Sequence, residues 1–219
     1  MGREFWLTRW AKKQIGFHQG SYNRALIEYW PTLGVSGRAA VLVPLCGKSL
    51  DMRWLEAAGH AVYGVDFSED AIAEYFAEGG ETPQCEQGNY LLRFQGAGST
   101  LYAGDFFDIA APDVPRVKAV YDRGALCALP AAMRARYADH LQRVIPDGAH
   151  ILLLTLEFDE DKVAGPPFAV AESEINELFS GRCRITKLES AKIGDLPRKF
   201  AAAGLPEVTQ NVHHIVKEH

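Results

Sequence analysis

The chain has 219 residues, a formal charge of −5 and 47% hydrophobic residues. That length suits one domain with a substantial core, and an acidic balance with no dense basic block argues against a nucleic-acid partner, because phosphate binding needs clustered cations. No apolar run approaches the roughly 18 residues of a membrane span or forms a signal-peptide core. The cysteines at 46, 85, 127 and 183 make no C-x-x-C pair and no metal-ligand spacing with the histidines. The expectation is a cytoplasmic, monomeric protein with reduced thiols, no bound metal and no membrane contact.

Along the chain, Trp6 and Trp10 stand four apart and share a helix face, which either packs on a core or closes over a site. Lys12 and Lys13 beside Arg9, and Arg134 with Arg136, read as solvated helix faces. Val41 to Leu45 is the short apolar run of a strand buried on both faces, and Gly47 lets the backbone turn into a helix carrying Leu50, Trp54 and Leu55. A second strand ends in Asp66, and Ser68 with Glu69 and Asp70 supplies an N-cap and acidic first turn for the next helix.

A polar, glycine-containing stretch from Glu78 to Thr100 leads to a strand at Leu101 to Ala103 and then to Gly104-Asp105-Phe106-Phe107-Asp108. Val117 to Asp122 is a buried strand followed by Arg123, and a helix runs from about Pro130 to Val144. Ile151 to Leu156 is the most apolar strand and is expected in the sheet interior. Gly165-Pro166-Pro167-Phe168 is a turn before a helix at Glu172 to Phe179, and the strands around Ile185 to Leu188 and Val212 to Val216 read as an antiparallel edge pair. Alternating strands and helices predict an α/β fold with a mostly parallel, doubly wound sheet, and sites in such sheets lie at the carboxyl ends of the strands. Leu45, Asp66, Asp105 and Arg123 are therefore expected to converge.

Asp66 follows Gly47 at about the distance at which a carboxylate on a strand tip meets the two hydroxyls of an adenosine ribose. A dinucleotide site needs G-x-G-x-x-G to seat a pyrophosphate, whereas this turn has one glycine flanked by Pro44, Leu45, Cys46 and Lys48. A cofactor with a ribose and no phosphate fits better, and S-adenosylmethionine is the common one. Read alone, the same turn also suits another kind of α/β protein.

Four segments carry a resemblance to a known family: Phe5-Trp6-Leu7-Thr8-Arg9-Trp10 with Gly16-Phe17-His18-Gln19, Val43 to Lys48, Tyr121 to Leu126, and Gly165 to Phe168. In order and spacing they resemble the thiopurine S-methyltransferases, closer to the bacterial type. The resemblance implies a Rossmann-like class I methyltransferase in one domain spanning residues 1–219, with 1–20 as an N-terminal lid. It also implies donor-binding roles for Trp10, Leu45, Gly47, Asp66, Asp105, Phe106 and Arg123. Phe17 and Arg198 resemble substrate-contacting residues. Asp66 stands where many members carry glutamate, and Asp105 where animal members carry a small polar residue.

The implied reaction is methylation of a small aromatic or heterocyclic thiol by S-adenosylmethionine, with Arg123 as the catalytic residue that steadies an anionic acceptor. Without the resemblance, Arg123 reads equally as an ion-pair partner of Asp122 or Asp105. The alternative acceptors are halide, thiocyanate or inorganic selenium and tellurium, and a third reading is donor binding without catalysis. His213 and His214 are expected to be paired structure rather than a metal site.

Overall fold

The computed structural model describes residues 2–193, 198–205 and 207–218, the side chain of Arg198 excepted. The chain divides into two compact units, residues 1–120 and 121–219.

In the first unit, β1 (Ala40–Pro44) is buried at every position, as an apolar run without alternation requires. It pairs in parallel with β2 (Ala61–Asp66) and with the start of β6 (Val117–Arg123). β2 pairs in parallel with β5 (Ser99–Ala103), in a register that sets Asp66 opposite Ala103. The polar stretch from Glu78 to Thr100 holds a hairpin that the sequence hides: β3 (Gln84–Gln87) and β4 (Leu92–Gln95) run antiparallel and extend the sheet beyond β5. β3 is exposed along its whole length, so no hydrophobic alternation marks it. The strand order in this unit is β3-β4-β5-β2-β1-β6.

The helices of this unit are α1 (Arg3–Ala11), α2 (Arg24–Tyr29), α3 (Asp51–Ala57) and α4 (Glu69–Glu78). Ser68 caps α4 as expected, its Oγ accepting from the Ala71 N–H at 3.1 Å. Asn23 caps α2 with its side chain, and its own N–H donates to the Asp51 carboxylate at 2.8 Å, which fixes the chain from residue 23 onward to α3. Buried His60 accepts from the Trp30 indole N–H at 3.0 Å through Nε2, so its Nδ1 carries the proton that reaches the Ala39 carbonyl. Before Asn23 the picture changes: among residues 2–22, Trp10 alone is buried.

In the second unit, α5 (Ala125–Ala128) and α6 (Ala131–Val144) follow β6, and β7 (His150–Glu157) is buried from Ile151 to Thr155. After α7 (Glu172–Phe179) come β8 (Cys183–Lys192), α8 (Arg198–Ala202) and β9 (Thr209–Lys217). β9 runs antiparallel to both β7 and β8, which gives the expected antiparallel edge. One expectation is corrected here. Arg134 is no solvated residue: it is buried, donates to the Leu129 carbonyl at 3.0 Å and pairs with Glu174 at 2.5 Å, since a long apolar stem on α6 can be covered while its fork finds a carboxylate on α7. Among the described residues, no helix is long and apolar enough to cross a membrane.

Candidate cofactor site

The turn after β1 carries two residues in the left-handed region. Leu45 has φ +48° and Gly47 φ +51°. The left-handed region is ordinary for glycine but costs a side-chain-bearing residue on the order of 1–2 kcal/mol, and such residues gather where backbone must face a ligand. The turn is held to β2 at two points: the Cys46 N–H donates to the Val65 carbonyl at 2.9 Å, and the Gly47 N–H to Asp66 Oδ2 at 2.8 Å. Asp66 Oδ1 accepts from the Ser68 N–H at 2.9 Å.

Both Asp66 oxygens thus accept from backbone N–H groups, and the carboxylate keeps lone-pair capacity for a further donor. The residue sits partly exposed at the strand tip, yet desolvation pushes its carboxyl up to about 6 against the pull of its backbone donors. A carboxylate with a lone pair to spare at a partly exposed strand tip is suited to accept from a diol, and those bonds would hold it ionised. The Asp66 carbonyl also receives the Gly104 N–H at 2.9 Å, which brings the end of β5 to the same tip. There Asp105 caps a short helical turn by accepting from the Phe107 N–H at 3.0 Å, and Phe106 is buried.

The indole of Trp10 covers the other side of the turn. A Cβ built on Gly47 would lie 2.7 Å from Trp10 Cζ2 and 3.9 Å from Asp66 Oδ2, so only glycine lets the ring come this close. Phe17 packs edge-on against both Trp10 and Trp6, with ring centroids 5.5 and 5.7 Å apart, and is itself exposed.

Two further residues, Lys48 and Glu74, tie the turn to α4. Lys48, beside Gly47, is buried and pairs with Glu74 at 2.9 Å and Glu78 at 2.5 Å. Glu74 also takes Lys13, which is therefore not simply solvated. The legible signal was that Glu74 and Glu78 lie four apart on one face of α4.

In the second unit, Arg123 closes β6 and is half-buried. Its neighbour Asp122 is buried and engaged by the Tyr137 hydroxyl at 2.6 Å and by the N–H groups of Ala125 and Leu126 at 3.0 and 3.3 Å. Arg198 begins α8, and its side chain lies outside the described residues. Burial raises the thiols of Cys46 and Cys127, the latter to about 12, so neither is poised as a nucleophile. Among the described residues, no group of three metal-ligating side chains occurs.

A parallel sheet with an antiparallel edge, a single-glycine turn after β1 and a carboxylate tip on β2 are the features of an S-adenosylmethionine-dependent methyltransferase, the class to which the family match assigns the chain. The fold agrees with solved structures: a methyltransferase from Anabaena variabilis (TM-score 0.68, 14% identity, covering 99% of this chain and 95% of that one). A second is the 1,6-didemethyltoxoflavin-N1-methyltransferase of Burkholderia thailandensis with bound S-adenosylhomocysteine (TM-score 0.67, 17% identity, covering 99% and 87%). The chain belongs to the thiopurine S-methyltransferase family, whose profile matches residues 1–218. It is 45% identical over 199 residues to a probable thiopurine S-methyltransferase of Yarrowia lipolytica, covering 90% of this chain and 92% of that one. It is 42% identical over 216 residues to the thiopurine S-methyltransferase of Pseudomonas fluorescens strain Pf0-1, covering 98% and 99%.

Proposed function

We propose that the protein transfers the methyl group of S-adenosylmethionine to the sulfur of small aromatic or heterocyclic thiols. Family membership supports the acceptor class, and the observation that carries the donor site is the Asp66 carboxylate bonded to the Gly47 N–H beneath the Trp10 ring. The donor supplies a methyl group already activated on a sulfonium.

The chain's own residues then have four tasks. Asp66 accepts the ribose hydroxyls through its remaining lone pairs, while the turn at Leu45 and Gly47 receives the methionine portion. Asp105 and Phe106 hold the adenine. Trp10 closes the site and excludes water, which raises the reactivity of an acceptor thiolate. Arg123 steadies that thiolate, and Phe17 and Arg198 contact the acceptor. An aromatic thiol is acidic enough to ionise near neutral pH, so alignment carries most of the catalysis; near-attack positioning supplies on the order of 7–11 kcal/mol.

The reading covers one methyltransferase domain across residues 1–219 with 1–20 as a lid, in a monomeric, cytoplasmic enzyme. The family match through residue 218 supports the first part, and free cysteines at 46, 85, 127 and 183 suit a reducing compartment. A methyl-transfer assay comparing an aromatic thiol, iodide and selenite, with products identified by mass, tests it. Turnover of the thiol above the two inorganic acceptors is expected; preference for iodide or selenite would overturn the acceptor class.

A further inference from the structure

Glu74 joins the turn after β1 to the segment that follows α1. Lys48 follows the turn glycine and reaches Glu74 at 2.9 Å, while Lys13, two residues beyond α1, reaches the same carboxylate. α1 itself packs against α4. Lys48 is 10% exposed and also held by Glu78 at 2.5 Å, so its ammonium is a fixed point. Lys13 is 62% exposed. Both lysines hydrogen-bond to the Glu74 carboxylate and hold it below the usual glutamate range.

This is an asymmetric junction. The buried lysine pre-orients Glu74, and the exposed lysine docks onto it at the end of the segment that carries Trp10. We propose that Glu74 is a positioning residue that latches the N-terminal segment to the turn after β1, so that Trp10 lies over Gly47 before the donor arrives. The inference rests on the donor site proposed above.

Its consequence is for affinity rather than chemistry. When a ligand binds a closed form, its apparent dissociation constant is the intrinsic one divided by the closed fraction, so a latch that raises that fraction tightens binding without touching the reacting atoms. An exposed ion pair is worth little, which limits the effect to roughly threefold to fivefold.

The test is a double-mutant cycle on the full chain, with S-adenosylmethionine binding measured by calorimetry beside kcat, KM and Tm. Lys13→Ala and Glu74→Gln should each weaken donor binding roughly threefold to fivefold, the double variant no further than either, with kcat at saturating donor and Tm little changed. Lys13→Arg should retain affinity. Single variants with unaltered affinity, or a double variant whose loss is the product of the singles, would overturn the latch. If Glu74→Gln fails to fold, Lys13→Ala against Lys13→Arg carries the test, since Lys13 is exposed. An unmodified protein that does not bind the donor would overturn the site reading instead, so the two failures are distinct.

Discussion

The Trp10 ring rests directly on Gly47, at a distance that a single added methyl group would abolish: Cβ to Cζ2 would be 2.7 Å. Gly47→Ala therefore both strains a backbone at φ +51° and pushes the indole off the turn. Donor affinity should fall at least roughly tenfold, the factor equivalent to about 1.4 kcal/mol. Gly80→Ala is the matched comparison, because Gly80 has φ +69° but open space around its Cβ. It should lower Tm by a similar backbone strain and leave donor affinity alone. Calorimetric titration of both variants checks this, and equal affinities would mean that the Trp10 contact is incidental.

The carboxyl of Asp66, raised to about 6 by desolvation, sets a pH dependence with a definite sign. The donor's hydroxyls need the ionised form, so affinity should be flat well above that pH and fall as pH drops through about 6, by up to about tenfold per pH unit. Without donor the sign of the stability term is reversed. The folded acid binds its proton more tightly than the unfolded one, so this residue's contribution declines as pH rises from 3.8 to about 6. Asp66→Ala should weaken binding at least roughly tenfold, since charge-assisted hydrogen bonds are worth about 1.5–3 kcal/mol each. Asp66→Glu should be milder.

How much of this was readable in advance depends on whether a residue's partner lay nearby in sequence. Ser68 as a cap and α7 from Glu172 to Phe179 were legible because capping and helical periodicity are local. Asp66 was legible because the path from a strand-end glycine through one helix to the next strand tip has a nearly fixed length. Arg134 was misread because its carboxylate, Glu174, is 40 residues away, and nothing around position 134 signals it. Lys13 with Glu74, 61 residues apart, was missed for the same reason. The β3/β4 hairpin escaped because Gln84–Gln87, exposed at every position, joins the sheet through backbone bonds, which leave no side-chain pattern.

The N-terminal segment supplies a third expectation. Trp10 is the one buried residue among 2–22, while the chain from Asn23 onward is tied to Asp51 and buries Leu26, Trp30 and Leu33. Deleting residues 1–16 should leave cooperative unfolding in place and reduce methyl transfer severely, because closure and water exclusion are lost. Far-ultraviolet circular dichroism during a melt, beside the transfer assay, separates the cases. Loss of cooperative unfolding would make α1 part of the core rather than a lid.

Arg123→Ala should lower kcat by on the order of 10- to 100-fold while donor affinity changes little, because a charge aimed at the acceptor acts mainly in the transition state. The neighbouring Asp122 is already satisfied by Tyr137 and two backbone N–H groups, so it does not depend on Arg123 to remain bonded. Parallel losses of Tm and activity, with unchanged kcat per folded molecule, would assign the arginine to structure.

The last expectation concerns the stacked imidazoles of His150 and His214, whose Nδ1 and Nε2 atoms are 2.9 Å apart. That hydrogen bond needs one nitrogen without a proton, so the pair cannot hold two charges in this geometry. Burial first, then the neighbouring imidazole and Arg184, bring His214 from 6.5 down to about 4, and His150 is lowered as well. A histidine whose folded value lies below its unfolded value penalises the fold as it must charge, so stability contributed here is lost as pH falls from 6.5 towards 4. Asp66 and Asp122, both raised to about 6, act with the opposite sign over much of the same window, while His213, also lowered by burial, adds to the histidine side, so the unmodified protein shows a sum of opposing contributions. His214→Gln removes one of the groups that penalise the fold in acid. Relative to the unmodified protein, its Tm should be more favourable in acid than in mildly alkaline buffer, and a Tm difference independent of pH would show that the pair does not remain neutral in the fold.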